Sequence, residues 1–277
     1  MHIPASNSIT RGLIIALLFP VAVAFSQHTV DCSALSVALS HSDVSFFSTW
    51  HGNSNPALLA RNDISAVSLN NYSKFLLPEL GFHSVSGTVN YKGHWGYCMG
   101  YFGTRALNLG SISISYGTSI FKWLDAGITL RGQYLSVVII DELSGNVSGN
   151  IGLNIKPANG FNIALVLKNP AGYSEDENMP ETLEPEIISG LSYIEERKFL
   201  LASHIHWCGY ENIYLSFGSV FYLVPSLAVL SGVKAGSQKG FSYGLIFTRN
   251  KLDIIIGSEV HTELGASMAL TLSYHLK

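Results

Sequence analysis

The chain has 277 residues and a net charge of −3, and its charged side chains make up only 13%, against about a quarter in ordinary soluble domains. Ser, Asn, Gly and Thr supply the polarity instead of Lys and Glu, and no basic stripe is present, so nucleic acid is excluded as a partner. Three scattered cysteines, Cys32, Cys98 and Cys208, are too few for a disulfide framework, and no CxxC, HExxH, Walker or GxGxxG pattern calls for a metal or other cofactor.

The first element is an export signal over residues 1–26. Arg11 precedes an apolar run from Leu13 to Phe25, and Ala24-Phe25-Ser26 supplies a small-x-small cleavage site. The run is too short for a membrane-spanning helix, which needs roughly 20 residues. The mature chain is therefore exported.

From residue 63 the pattern changes to period two, in which side chains alternate between two faces of a strand. Fourteen strands are expected at 63–73, 80–90, 93–104, 108–118, 121–135, 146–156, 160–169, 183–194, 197–207, 210–219, 226–236, 239–248, 251–260 and 264–277. Most run to about 10 residues, longer than the 5 or 6 favoured in soluble sheets and matched to a tilted bilayer crossing. The long uncharged stretch "NIYLSFGSVFYLVPSLAVLSGV" splits into two such strands around Pro225.

The faces are consistent from strand to strand. Phe161, Ile163, Leu165 and Leu167 oppose Asn162, Ala164 and Lys168, while Phe241, Tyr243, Leu245 and Phe247 oppose Ser242, Gly244 and Thr248. In the closing segment "HTELGASMALTLSYHLK", every even position from Leu264 to Leu276 is apolar, and the odd positions are small or polar. An exposed β-sandwich face would carry Lys and Glu. The pattern suits lipid on one side and a wet or packed interior on the other, so the expected fold is a closed antiparallel transmembrane β-barrel of about fourteen strands.

Connection lengths agree with that topology. The two longest, "SVVIIDELSGN" and "NPAGYSEDENMPETL", follow the fifth and seventh strands, and "KG", "KPANG", "EER" and "RNK" alternate with them. With both chain ends in the periplasm, the long ones lie outside. Trp95, Tyr97, Tyr101, Trp123, Tyr134, Trp207, Tyr210 and Tyr274 fall near strand ends or on outward faces, as interfacial girdles do.

Arg131, Lys168, His204, His206, Asp253 and Glu259 fall on inward faces by alternation. Paired charges there brace a lumen, or else contact a solute. His204 and His206 share a face and would need a third ligand, such as His83 or Glu259, to hold a metal; polar lining is the plainer role. A catalytic base would need an orienting carboxylate, and the acidic residues gather in the "SEDENMPETLEPE" loop without a nucleophile signature, so no enzyme is expected. Tyr214 and Phe102 also face inward, as a ligand platform or as packing for whatever fills the lumen.

Four segments, "SVALSHSDVSFF" (36–47), "NSNPALLA" (53–60), "KFLLPELG" (74–81) and the closing strand, together resemble the PorV/PorQ-like outer-membrane barrels of Bacteroidota-type bacteria, distant relatives of the long-chain fatty-acid transporters. The resemblance implies that residues 27–62 form a hatch in the barrel mouth, with Asn55, Pro56 and Ala57 as its motif, ahead of a barrel over 63–277. It implies an outer-membrane location in a Gram-negative bacterium, with lipid as the surrounding partner. Two roles follow from it, a type IX secretion component or a channel for hydrophobic small molecules.

Overall fold

The computed structural model describes residues 33–46, 54–104, 107–137, 142–174, 184–196, 198–208, 212–262 and 264–276. The expected signal peptide and most of the acidic loop lie outside these residues. Fourteen strands follow in order: β1 (Ala66–Ser73), β2 (Gly81–Asn90), β3 (His94–Gly103), β4 (Leu107–Phe121), β5 (Leu124–Val137), β6 (Glu142–Ala158), β7 (Phe161–Ser174), β8 (Glu186–Glu195), β9 (Phe199–Cys208), β10 (Asn212–Val224), β11 (Leu227–Gly236), β12 (Gly240–Arg249), β13 (Leu252–His261) and β14 (Gly265–His275). Each pairs with its neighbours antiparallel, and β1 pairs with β14 from Ala66↔His275 to Ser73↔Met268, so the sheet closes on itself. Closure leaves no unpaired edge, as a sheet surrounded by hydrocarbon requires.

Burial along the strands is inverted relative to a water-soluble protein. In β14, Ser267, Thr271 and Ser273 are at most 2% exposed, while Leu270 and Tyr274 are 40% and 47% exposed. The small polar face lines the interior, and the apolar face looks outward to lipid. An aromatic belt, Phe121–Trp123, Phe161–Tyr193–Phe199 and Phe199–Phe221, with ring centroids 4.6 to 6.4 Å apart, follows the end that carries the short turns. Those turns are tight because Lys92, Gly160 and Asn250 adopt positive φ, the conformation a two-residue hairpin demands.

The strand boundaries differ from expectation at the far ends of β7 and β10, which both run past the expected stop. Pro170 reads as a strand end in the sequence, yet β7 continues to Ser174. Asn150 pairs with Lys168 and Ser148 pairs with Gly172, so Asn169, Pro170 and Ala171 stand opposite Gly149 alone. A bulge there absorbs the residue that has no N–H to give the ladder. β4 to β7 are the tallest strands, and β6 extends to Glu142 inside what reads as a loop.

Candidate functional site

Of the residues before β1, the described stretches 33–46 and 54–60 are packed inside the barrel. A short helix, α1 (Ala34–Ala38), is capped by Ser33, whose Oγ accepts from the Ser36 N–H at 3.1 Å. The chain then turns through Ser40 and His41 at φ 52° and 61°, and returns to a 3₁₀ turn at Pro56–Arg61. Asn55 caps that turn: its Oδ1 accepts from the Ala57 N–H at 3.0 Å, and its Nδ2 donates to the Val44 carbonyl at 2.7 Å. Pro56 occupies the first helical position, where its missing N–H costs nothing. Asn55, Pro56 and Ala57 are all buried.

The wall receives this hatch on two patches of glycine. Gly117, Gly127 and Gly152 sit side by side on β4, β5 and β6. A β-carbon on any of them would fall 2.2 to 2.6 Å from Asn55 Oδ1 or the Pro56 backbone. Across the lumen, Gly232, Gly244 and Gly257 on β11 to β13 do the same for α1 and Leu39, with approaches of 2.3 to 2.6 Å, and Gly218 on β10 does so for Ser42 Oγ at 2.2 Å. Close contact at the Asn-Pro-Ala motif thus comes from the wall's glycines more than from the small side chain of Ala57.

Polar side chains pin the seated hatch. The Ala34 N–H donates to Thr271 Oγ1 at 2.9 Å, and Thr271 in turn donates to Asn70 Oδ1 at 2.8 Å. Ser242 Oγ donates to the Ala38 carbonyl and lies 2.8 Å from Ser40 Oγ. Arg61 Nε donates to both oxygens of Asp125, at 2.9 and 3.0 Å, and Lys156 reaches the same carboxylate at 3.3 Å.

Two carboxylates organise the charged groups of the lumen. Glu259 pairs with Lys234 at 2.6 Å and with the hatch residue His41 at 3.5 Å, and both wall side chains are 1% exposed. Glu186 holds His206 at 2.9 Å and Lys168 at 4.0 Å. Tyr214 stands between the two groups, its ring 4.6 Å from that of His206 and 5.8 Å from the Lys234 ammonium. Burial and the neighbouring Lys234 charge hold His41 below the usual imidazole range, outweighing the attraction of Glu259.

Arg131, Glu259, His204 and His206 are buried, Lys168 joins Glu186, and Asp253 accepts from His275 at 2.8 Å. The structure does not bring His83 to the histidine pair: it faces outward on β2 and hydrogen-bonds Asn71. Among the described residues neither ring nitrogen of His204 has a hydrogen-bond partner, and no three His, Cys, Asp or Glu side chains form a metal-binding group. Phe102 packs against the cluster that includes the hatch. Arg61, Asp125, Glu186, Lys234 and His41 escaped the sequence reading. Alternation marks Asp125 and Lys234 as inward, but their partners come from a hatch and strands whose register no local pattern reveals.

The lumen also carries a contiguous apolar cluster. Leu35, Val37, Leu39 and Phe46 of the hatch pack with Tyr72, Phe82, Cys98, Leu200, Val220, Leu230 and Ile255 of the wall. A porin lumen is polar and water-filled. Here the cluster forms an apolar patch, shared by hatch and wall, on an interior otherwise lined by small polar side chains.

No family model matches the chain, and no curated protein matches it either. Solved structures do match in fold. The toluene transporter TodX of Pseudomonas putida superposes with a TM-score of 0.65 at 10% identity, over 89% of this chain and 99% of that one. A FadL homologue from Pseudomonas aeruginosa gives 0.61 at 8% identity, over 88% and 98%. The chain therefore shares the barrel architecture of these proteins.

Proposed function

We propose that this protein is an outer-membrane channel for small hydrophobic molecules. The observation that carries the reading is the apolar cluster inside the lumen, where a channel for polar solutes would present polar side chains to water. A solute that partitions into such a lining gains roughly 25 cal/mol per Å² of apolar surface removed from water. The fold neighbours agree with this reading, since they include a structure described as a monoaromatic hydrocarbon channel.

The expectation of a type IX secretion role called for a plugged lumen together with a binding surface made by external loops, and the uptake role for an apolar lumen pocket together with a gap or kink in the wall. Residues 138–141 and 175–183 of those loops lie outside the described residues; the hatch is compatible with either role, and the apolar cluster favours a small hydrophobic solute. The channel reading therefore takes precedence. An equilibrium binding experiment on the purified barrel tests it. A radiolabelled aromatic hydrocarbon is expected to bind saturably, and more weakly to Phe82→Ala, which removes a buried ring from the cluster. Saturable binding of a sugar, with none of the hydrocarbon, would overturn the reading.

A further inference from the structure

The outward side of the wall holds a groove of about 940 Å³. One bank is a single registered row, Leu69, Val85, Met99, Ile112, Gly132 and Val147, on β1 to β6. The other bank carries His83, Tyr101 and Tyr134, and the floor is the backbone of the row between them, from Asn70 to Asn146. Among the described residues, no lining residue comes from the hatch or from β8 to β14, and none comes from the inward rows on either side of the floor. That pattern places the groove on the lipid face.

Glycine opens it. Gly132 interrupts the bank where the other strands place Val, Met or Ile, and a β-carbon there would meet nothing nearer than Ile112 Cγ2 at 3.7 Å. Tyr134 lies flat over Gly110, whose β-carbon would fall 2.1 Å from the ring, so the tyrosine is folded against the wall beside the groove. Five strand spacings of ~4.8 Å give a length of ~24 Å. A single leaflet's hydrocarbon is ~15 Å deep, half of the ~30 Å core, so an oblique groove of that length accommodates one long chain. At the β1–β2 end, Asn71 and His83 form an outward hydrogen-bonded pair, Nδ2 to Nδ1 at 2.9 Å, on a face otherwise lined by apolar side chains.

We infer that this groove holds one acyl chain of a membrane lipid, with the chain's carbonyl end at the Asn71–His83 pair. The groove is continuous with the lipid-facing surface, so the bilayer supplies the occupant. The amide and imidazole N–H groups suit an ester or amide carbonyl, which accepts and cannot donate. This site is separate from the lumen and does not depend on what passes through it.

Native mass spectrometry of the full barrel, released from nanodiscs of defined phospholipid into a delipidating detergent, tests the inference. The wild type is expected to retain one lipid. Gly132→Trp, which fills the groove without meeting the wall, should retain at least tenfold less, while Ile128→Trp, outward on the same strand but outside the groove, should match the wild type. Asn71→Leu should retain the lipid less well than the wild type. Equal retention by Gly132→Trp and the wild type, or no lipid on the wild type, would overturn the site. Added free long-chain fatty acid that displaces the phospholipid from the wild type would also overturn it, by showing a substrate site instead.

Discussion

Replacing Gly127 by alanine tests how the hatch is held. The new β-carbon would lie 2.3 Å from the Pro56 carbonyl carbon, 2.5 Å from its oxygen and 2.6 Å from the Ala57 nitrogen. Carbon contacts settle near ~3.5 Å or beyond, so the hatch backbone must retreat by about 1 Å. It cannot retreat freely, because Arg61 is bound to Asp125 of the wall. Overpacking of this kind costs about 1 to 3 kcal/mol, or about 5- to 150-fold in the ratio of seated to unseated hatch. Burial of Leu58 and Leu59 holds the seat with up to about 1.5 to 3 kcal/mol each, so the substitution removes a large share of it. Single-channel conductance in planar bilayers should rise, and protease should cut the hatch faster, while the barrel stays folded. Gly132→Ala, whose nearest contact would be 3.7 Å, should leave both unchanged. If Gly127→Ala matches the wild type in conductance and in hatch protection, the glycine row is not what seats the hatch.

Leu270→Lys faces lipid and should destabilise the barrel by about 2 to 4 kcal/mol in a vesicle unfolding titration; an unaltered transition would mean that this face does not meet hydrocarbon. Thr271→Lys, one residue on, should instead free the hatch, because Thr271 accepts from the Ala34 N–H, and the expected readout is conductance. Glu259→Gln strands the buried Lys234 charge and should cost about 3 to 5 kcal/mol, with refolding yield and hatch proteolysis as the measures. The pKa of His41 is depressed in the seated state, so its contribution to seating is complete above the ordinary imidazole value of ~6.5. It is lost as pH falls through the lower seated value. Hatch protection should therefore weaken between pH 7 and 5 in the wild type, less so in His41→Gln, although Glu259, Lys234, Asp43 and His204 also surround this imidazole. A protease-accessible tag near Asp176 should be cut in intact cells and one in the Asn159–Gly160 turn should not; the reverse would invert the topology.

The wall was legible because its information is local. Period two, strand length and the parity of long and short connections each follow from residues close in sequence, and they predict fourteen strands within a few residues of those observed. β7 departed where Pro170, a strand stop by its chemistry, was absorbed by a bulge that depends on Gly149 across the ladder. The lumen was legible only in part. Alternation placed Lys168, His204, His206 and Glu259 inside, but the pairing of Glu259 with Lys234 and His41 joins residues from β13, β11 and the hatch. The glycines were equally opaque. Their spacing along each strand carries no signal until the register sets Gly117, Gly127 and Gly152 side by side under Pro56.

The central claim is tested most directly by uptake in whole cells. The full chain is expressed in a Gram-negative host that lacks its own channels for hydrophobic compounds, and entry of a radiolabelled monoaromatic hydrocarbon is followed alongside that of a hydrophilic sugar. The account predicts faster hydrocarbon entry than in the empty-vector control and no change in sugar entry. Hydrocarbon entry equal to the control, or a rise in sugar entry alone, would contradict it.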